Sequence, residues 1–247
     1  RVLQVDHLSR TVTVQAGALL KTLATTLDGH GLLLGHDPWS VPIATVGGAI
    51  STNGVGYRAA KVGPMGSQVV ALEVVLPSGF ILTTRRVSKY SIGPNLNQLF
   101  IGSEGTLGII TEATLRVLGQ PEERVFSTFR FPTFELGFES VNTMFEIGLR
   151  PSVVDLTEDF EGVHLYMVFE GYREQVEAQR RRSSIICTSN HGKDLGPTEA
   201  IIYWDTRYQI AEQYKNSVAG SSRTERWNRH SREFDYLHVS LPASVIL

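Results

Sequence analysis

Residues 44–56, Ala-Thr-Val-Gly-Gly-Ala-Ile-Ser-Thr-Asn-Gly-Val-Gly, hold four glycines, two threonines, a serine and an asparagine between apolar segments. Some fifty residues later comes a second loop of the same kind, Gly102-Ser-Glu-Gly-Thr-Leu-Gly108. Glycine lets a backbone approach a ligand closely, and clustered amide N–H groups and hydroxyls can then surround a phosphate or the polar edge of a cofactor. The plain alternative for one such cluster is a Gly-rich surface loop; two hydroxyl-rich ones are jointly more specific. Neither is Gly-x-Gly-x-x-Gly between a strand and a helix, and neither carries the Gly-Lys-Ser/Thr of a nucleotide hydrolase. A cofactor that needs several neutral donors along its length fits better, and a flavin dinucleotide is one.

Other residue types offer less. Arg207 stands three residues after Trp204 and could grip a carboxylate bidentately; as a plain exposed helix arginine it would do nothing. The Glu104 carboxylate could touch a ligand or pin its own loop. His164, His191 and His238 are isolated, with no spacing that makes a metal site. Arg180-Arg-Arg182 reads as a solvated helix face. The single cysteine, Cys187, excludes an internal disulfide framework and a multi-cysteine metal centre. With 23 basic and 25 acidic side chains there is no electrostatic reason to invoke nucleic acid, and no apolar run approaches the roughly 20 residues that span a bilayer. Arg1 stands where a methionine would begin a chain, so the natural beginning is expected to lie upstream, and a targeting signal there stays open.

These loops need elements to hold them. Residues 2–5 and 11–16 alternate as strands around a turn at 7–10. Leu19, Leu20, Leu23 and Leu27 put a helix over 18–29, stopped by Gly29 and Gly31. The segment 69–76 reads as a strand with its hairpin partner at 80–84, and strands are expected at 109–111 and, separately, at 113–117. The polar break at 120–124 marks a domain boundary. Beyond it come a strand at 125–131, a helix at 134–148, strands at 153–156 and 164–169, and a charged helix at 173–182, an order that suggests a ferredoxin-like sheet. A loop or lid at 219–233 and a final strand at 237–241 close the reading.

The sequence Asp37-Pro-Trp-Ser40, Ala44-Thr-Val-Gly-Gly48, Ile50-Ser-Thr-Asn53 and Gly102-Ser-Glu-Gly-Thr-Leu-Gly-Ile-Ile-Thr-Glu112 resembles the FAD-linked oxidases of the vanillyl-alcohol oxidase superfamily. That group includes D-lactate dehydrogenases, the glycolate oxidase catalytic subunit and alkylglycerone-phosphate synthases. The resemblance implies an α+β fold: the second subdomain of a PCMH-type FAD-binding domain over residues 1–119, then part of a ferredoxin-like substrate (cap) domain over 120–247. It implies FAD contacts at Pro38, Trp39, Ser40, Ala44, Thr45, Gly47, Gly48, Ser51, Thr52, Asn53, Gly54 and Val55. A second set is implied at Glu104, Gly105, Thr106, Leu107, Gly108, Ile109 and Ile110. The family's first pyrophosphate loop would lie upstream of residue 2 and its catalytic segments beyond Leu247, so the chain reads as a fragment that binds FAD weakly by itself.

The leading activity implied is oxidation of a D-2-hydroxy acid of the lactate or glycolate kind, with Arg207 as the substrate-carboxylate candidate. The alternatives are alkylglycerone-phosphate synthesis and a truncated, non-catalytic paralogue. Gly35-His-Asp-Pro38, Ser91-Ile-Gly-Pro94 and Arg150-Pro-Ser-Val153 are similar to the synthases, but those enzymes carry an arginine where this chain has Asp155. An acid is a poor neighbour for a phosphate. The implied partners are a small-molecule substrate, with a homodimer or an electron-acceptor protein admitted; the location is left open between the cytoplasm and an organelle.

Overall fold

A computed structural model describes residues 1–87, 90–218 and 241–246. The chain opens with the hairpin β1 (Val2–Asp6) and β2 (Thr11–Gln15). It continues through α1 (Leu20–Asp28), β3 (Leu32–Leu33), α2 (Val46–Ser51) and α3 (Ala59–Val62). There follow β4 (Val69–Val75), β5 (Ile81–Thr83), α4 (Asn97–Phe100), β6 (Ile109–Arg116) and the short β7 (Leu118–Gly119). The order β1-β2-β6-β4-β5 makes a five-stranded sheet, antiparallel throughout. One face carries Val12, Val14, Leu72, Val74 and Leu115, which bury against Leu20, Leu23 and Leu27 of α1 and Val46 and Ile50 of α2. Period two on the strands meeting a one-sided leucine stripe on α1 is what makes this core.

Two local readings change. The expected strands at 109–111 and 113–117 are one strand. Its register slips opposite Glu73 and Val74, where Glu112 and Ile110 pair and Thr111 is the extra residue. A bulge of this kind lets Ile110 and Ala113, three apart, face one core, so an alternation rule reads a gap where there is none. The glycine segment is also not loop throughout: residues 46–51 coil into α2 because Thr45 caps them, its Oγ1 accepting from the amide of Gly48 at 3.1 Å.

The second sheet follows from β8 (Glu123–Phe131), α5 (Phe134–Glu146), β9 (Val153–Asp159), β10 (Gly162–Gly171), α6 (Arg173–Ser189) and β11 (Lys193–Gly196). The antiparallel order β11-β8-β10-β9 with two crossover helices is ferredoxin-like. Along β10, Val163, Leu165, Met167 and Phe169 pack with Phe129, Phe131, Met144, Val176 and Cys187 under α5 and α6. The opposite residues of β10, His164, Tyr166, Val168 and Glu170, face the other way. There α7 (Thr198–Thr206) crosses the sheet, with α8 (Gln209–Val218) after it, and Trp204 packs on Val153 and Val168.

The edge strand β11 and both final helices escaped the sequence reading: Lys-Asp-Leu-Gly has one apolar residue, and α7 buries only Ala200 and Trp204. Helix α6 runs seven residues past the expected Arg182, to Ser189, and Arg180, Arg181 and Arg182 lie on its exposed side. The loop expected at 219–233 and the strand at 237–241 lie outside the described residues, apart from Leu241. Among the described residues no helix is long and apolar enough to cross a membrane.

Candidate functional site: a glycine cradle beside a buried charge array

The two glycine loops meet. The amides of Gly102 and Glu104 donate to the carbonyls of Ile50 and Ser51, each at 3.0 Å, so a stretch fifty residues away closes onto the end of α2. The other end of α2 is sewn to the strand edge: Val46 N donates to Ala18 O at 2.9 Å and Gly47 N to Ala16 O at 2.8 Å. A Cβ on Gly47 would stand 2.8 Å from the Ala16 Cβ, which is why a glycine is needed there. Glu104 itself turns with φ of 51°, a strained conformation for a residue with a side chain.

The expected cofactor residues divide by what they do. Side chains of Thr45, Thr52 and Asn53 are spent on protein backbone: Thr45 caps α2, the Thr52 hydroxyl donates to Gly48 O at 3.1 Å, and Asn53 Oδ1 accepts from the distant Gly66 N at 2.9 Å. Pro38, Gly47, Gly108 and Ile110 are buried, and Ser40, Ala44, Ser51 and Gly54 are half-buried. Gly48, Gly105 and Thr106 are exposed, as are Trp39, Val55, Leu107 and Ile109. Among the described residues the Glu104 carboxylate has no hydrogen-bond partner, so it does not pin its own loop. The rim that faces outward therefore combines exposed backbone, in which the Gly48 and Thr106 amides already donate to Thr45 Oγ1 and Ser103 O, with one aromatic and three aliphatic side chains and Glu104 as its charged group. That donor set fits a long, largely neutral and partly flat cofactor such as a flavin dinucleotide.

Immediately before the cradle, Asp37 anchors a buried charge array. Arg58 Nη1 meets Asp37 Oδ2 at 2.8 Å, and Arg58 Nε meets Glu170 Oε2 at 2.8 Å; all three side chains are 4–6% exposed. Glu170 lies on β10 and is also held by Arg124 of β8 at 2.7 Å. Asp37 takes further bonds from Arg207 Nε at 3.3 Å and from the Tyr208 hydroxyl. The three guanidinium carbons stand 4.9, 4.9 and 3.7 Å from the Trp204 ring centre, for Arg58, Arg124 and Arg207 in turn. Burial alone would raise the Glu170 pKa, but the Arg58 and Arg124 guanidiniums outweigh it and hold the carboxyl down at about 2. Burial likewise works against the Arg58 charge, and Glu170 and Asp37 overcome it. A cleft of about 390 Å³ opens on this array, walled by Leu20 and Leu34 and reaching His36, Asp37, Arg124 and Arg207.

Arg207 is thus no exposed helix arginine. It caps α7, its side chain is 13% exposed, and its three nitrogens meet Asp37, the Trp204 carbonyl at 2.5 Å and the Tyr208 hydroxyl at 3.0 Å. Asp155, on β9, accepts from the Tyr203 hydroxyl at 2.5 Å, and Tyr203 stacks on Tyr166 with ring centres 5.0 Å apart. His164 is buried with Nδ1 unpartnered, and His191 lies just past the end of α6. His238 falls outside the described residues. Burial pushes the Cys187 thiol up to about 12, so it stays a neutral filler. Arg58, Arg124 and Glu170 carry no motif; nothing short of the tertiary contact pairs residue 58 with residue 170.

The cradle and the array touch at Gly56. A Cβ there would come within 2.7, 2.9 and 3.0 Å of the N, C and O of Asp37. Gly56→Ala is therefore expected to cost about 1–3 kcal/mol of stability, read as a lower urea midpoint with unchanged slope. An unchanged midpoint would show that the two segments part freely.

Fold and cradle together define an FAD-binding protein, and the comparisons agree. Residues 1–85 match the FAD binding domain family. The chain is 36% identical over 150 residues to an alkyldihydroxyacetonephosphate synthase of Caenorhabditis elegans, covering 61% of this chain and 25% of that protein. It is 32% identical over 254 residues to a D-lactate dehydrogenase of Archaeoglobus fulgidus, covering 92% of this chain and 56% of that one. A solved alkyldihydroxyacetonephosphate synthase superposes with a TM-score of 0.77 at 27% identity, over 87% of this chain and 45% of that chain. The chain is a homologue of FAD-linked oxidoreductases and synthases, matches the FAD binding domain over residues 1–85, and spans between a quarter and about half of the length of these relatives.

Proposed function

We propose that residues 1–119 form one wall of an FAD site and residues 120–247 a cap over it, in an enzyme that oxidises a D-2-hydroxy acid of the lactate or glycolate kind. The observation that carries this reading is the junction of residues 102–104 with residues 50–51, which makes one cradle of two loops. Of the expected contacts, the backbone amide of Gly105 and the surfaces of Trp39, Val55, Leu107 and Ile109 would hold the cofactor, with Gly48, Gly54 and Thr106 allowing its close approach. Bound FAD would supply the hydride acceptor, at N5, while the substrate hydroxyl proton passes to a general base and a 2-keto acid results. Arg207 would grip the substrate carboxylate by exchanging its bond to Asp37, a like-for-like swap of one carboxylate for another. The Asp155 carboxylate, held by Tyr203 on the cap sheet, favours a substrate without a phosphate.

The test is anaerobic bleaching of flavin absorbance at about 450 nm by D-lactate or glycolate. Arg207→Lys is expected to lower kcat/KM about a hundredfold, since a point charge replaces a planar fork; an unchanged kcat/KM would remove Arg207 from this role. A second reading, ether synthesis, draws on the likeness to the solved synthase. Ether product from an acyl-glycerone phosphate and a fatty alcohol, with no net flavin reduction, would decide for it.

A further inference from the structure

We infer that Asp37 is a positioning residue that ties the docking of the ferredoxin-like unit to the shape of the cofactor loop, so that cap docking and FAD binding favour each other. The inference rests on the reading of residues 38–56 as cofactor loop, and its geometry is independent of any ligand. On one side, the Asp37 backbone is built into that loop: its carbonyl accepts from Tyr57 N at 2.9 Å, and Gly56 packs flat against its peptide. His36, next in the chain, lies beneath Gly54, where a Cβ would stand 3.3 Å from the ring. On the other side, among the described residues, the Asp37 side chain binds two residues of the cap directly and reaches it a third time through Arg58 of its own unit. Arg207 and Tyr208 follow α7 directly, and Arg58 hands the connection to Glu170 on β10 and through it to Arg124 on β8. Tyr57, the residue between loop and array, repeats the pattern with its hydroxyl donating to Arg207 O at 3.2 Å.

Buried charges resist partial separation, because each partner left behind is an unpaired ion in a poorly polarisable interior. The array therefore holds two arrangements apart, docked or undocked, with little between. Asp37 cannot keep Arg207 and Tyr208 in the undocked one without moving the loop. A ligand that orders the loop must then favour docking, and docking must favour the ligand by the same factor.

Glu170→Gln tests this from the far side, since Glu170 belongs to the cap sheet and not to the cradle. Hydrogen exchange without cofactor is expected to quicken about ten-fold in peptides from residues 38–56 and to stay unchanged in β6. In the flavin-binding protein, FAD affinity is expected to fall by about the same factor. Asp37→Asn should show the same loss, and the double variant should be no worse than Asp37→Asn alone, because both act through Arg58. Should Glu170→Gln fail to fold by circular dichroism, Arg124→Gln, which removes only the outer partner of Glu170, should move both readouts the same way by less. A merely structural array would lower thermal stability while leaving loop exchange and FAD affinity at wild-type values, or give additive losses in the double variant; either result overturns the inference. Failure of the unaltered protein to bind FAD would sink the cofactor reading instead, with the exchange comparison still deciding the coupling.

Discussion

Arg58→Ala is expected to destabilise the protein by about 3–5 kcal/mol, the largest effect of any single charge removal here. The guanidinium lies between Asp37 and Glu170, and the three side chains are together almost wholly out of water. Taking the arginine away leaves two buried carboxylates, one leaning on Arg207 and Tyr208 and the other on Arg124. Desolvation is then no longer offset at the point where the two are deepest. The check is urea unfolding at neutral pH, with Arg58→Met/Glu170→Leu as the companion. Removing both ends of the pair should cost less than removing the arginine alone, because no unpaired ion remains at position 170. Equal losses in the two variants would mean that packing around Trp204, rather than charge, sets the cost.

Stability should also fall in two steps on acidification, and the first belongs to His36. Burial pushes its pKa down to about 4, against the pull of neighbouring Asp37. Between pH 6.5 and 4 the unfolded chain takes up a proton that the folded chain refuses. Stability is therefore full above 6.5 and declines as pH falls, by about 3 kcal/mol once pH 4 is reached. Glu170 takes over lower down: its folded pKa of about 2 lies below its ordinary 4.5. It stabilises above pH 4.5 and loses that contribution as pH drops toward 2. Unfolding free energies measured from pH 3 to 7 should show a slope of about one proton across the first window. His36→Asn should flatten that window and leave the second in place. A variant with the wild-type slope between 4 and 6.5 would assign the proton to another group.

What could be read from the chain alone was whatever local pattern encodes. Two-residue alternation located most strands, and a leucine stripe located α1. The run of elements beyond residue 124 implied the ferredoxin-like topology that β8 to β11 complete. The motifs at 37–53 and 102–112 identified the cofactor class, because a glycine cradle is a property of short stretches of backbone and those stretches are contiguous. Pattern failed where geometry departs from a fixed period. The Thr111 bulge split one strand into two, the Thr45 cap turned a presumed loop into α2, and β11 was too short and polar to register.

The charge array lay beyond any such reading. Arg58, Arg124, Glu170 and Arg207 are ordinary surface residue types scattered over 150 positions, and a lone arginine carries no mark of its partner. Only the fold brings them around Trp204 and shuts out water, and that exclusion turns four unremarkable charges into a connected unit. Sequence by itself determined the cofactor class, FAD, because the motifs that carry it are contiguous stretches of chain. Tertiary structure alone decided that Arg207 is bound to Asp37 rather than free, and that the ferredoxin-like sheet and the segment leading into the glycine loop share one set of ions. Long-range burial, not local pattern, sets the strength of a charge pair.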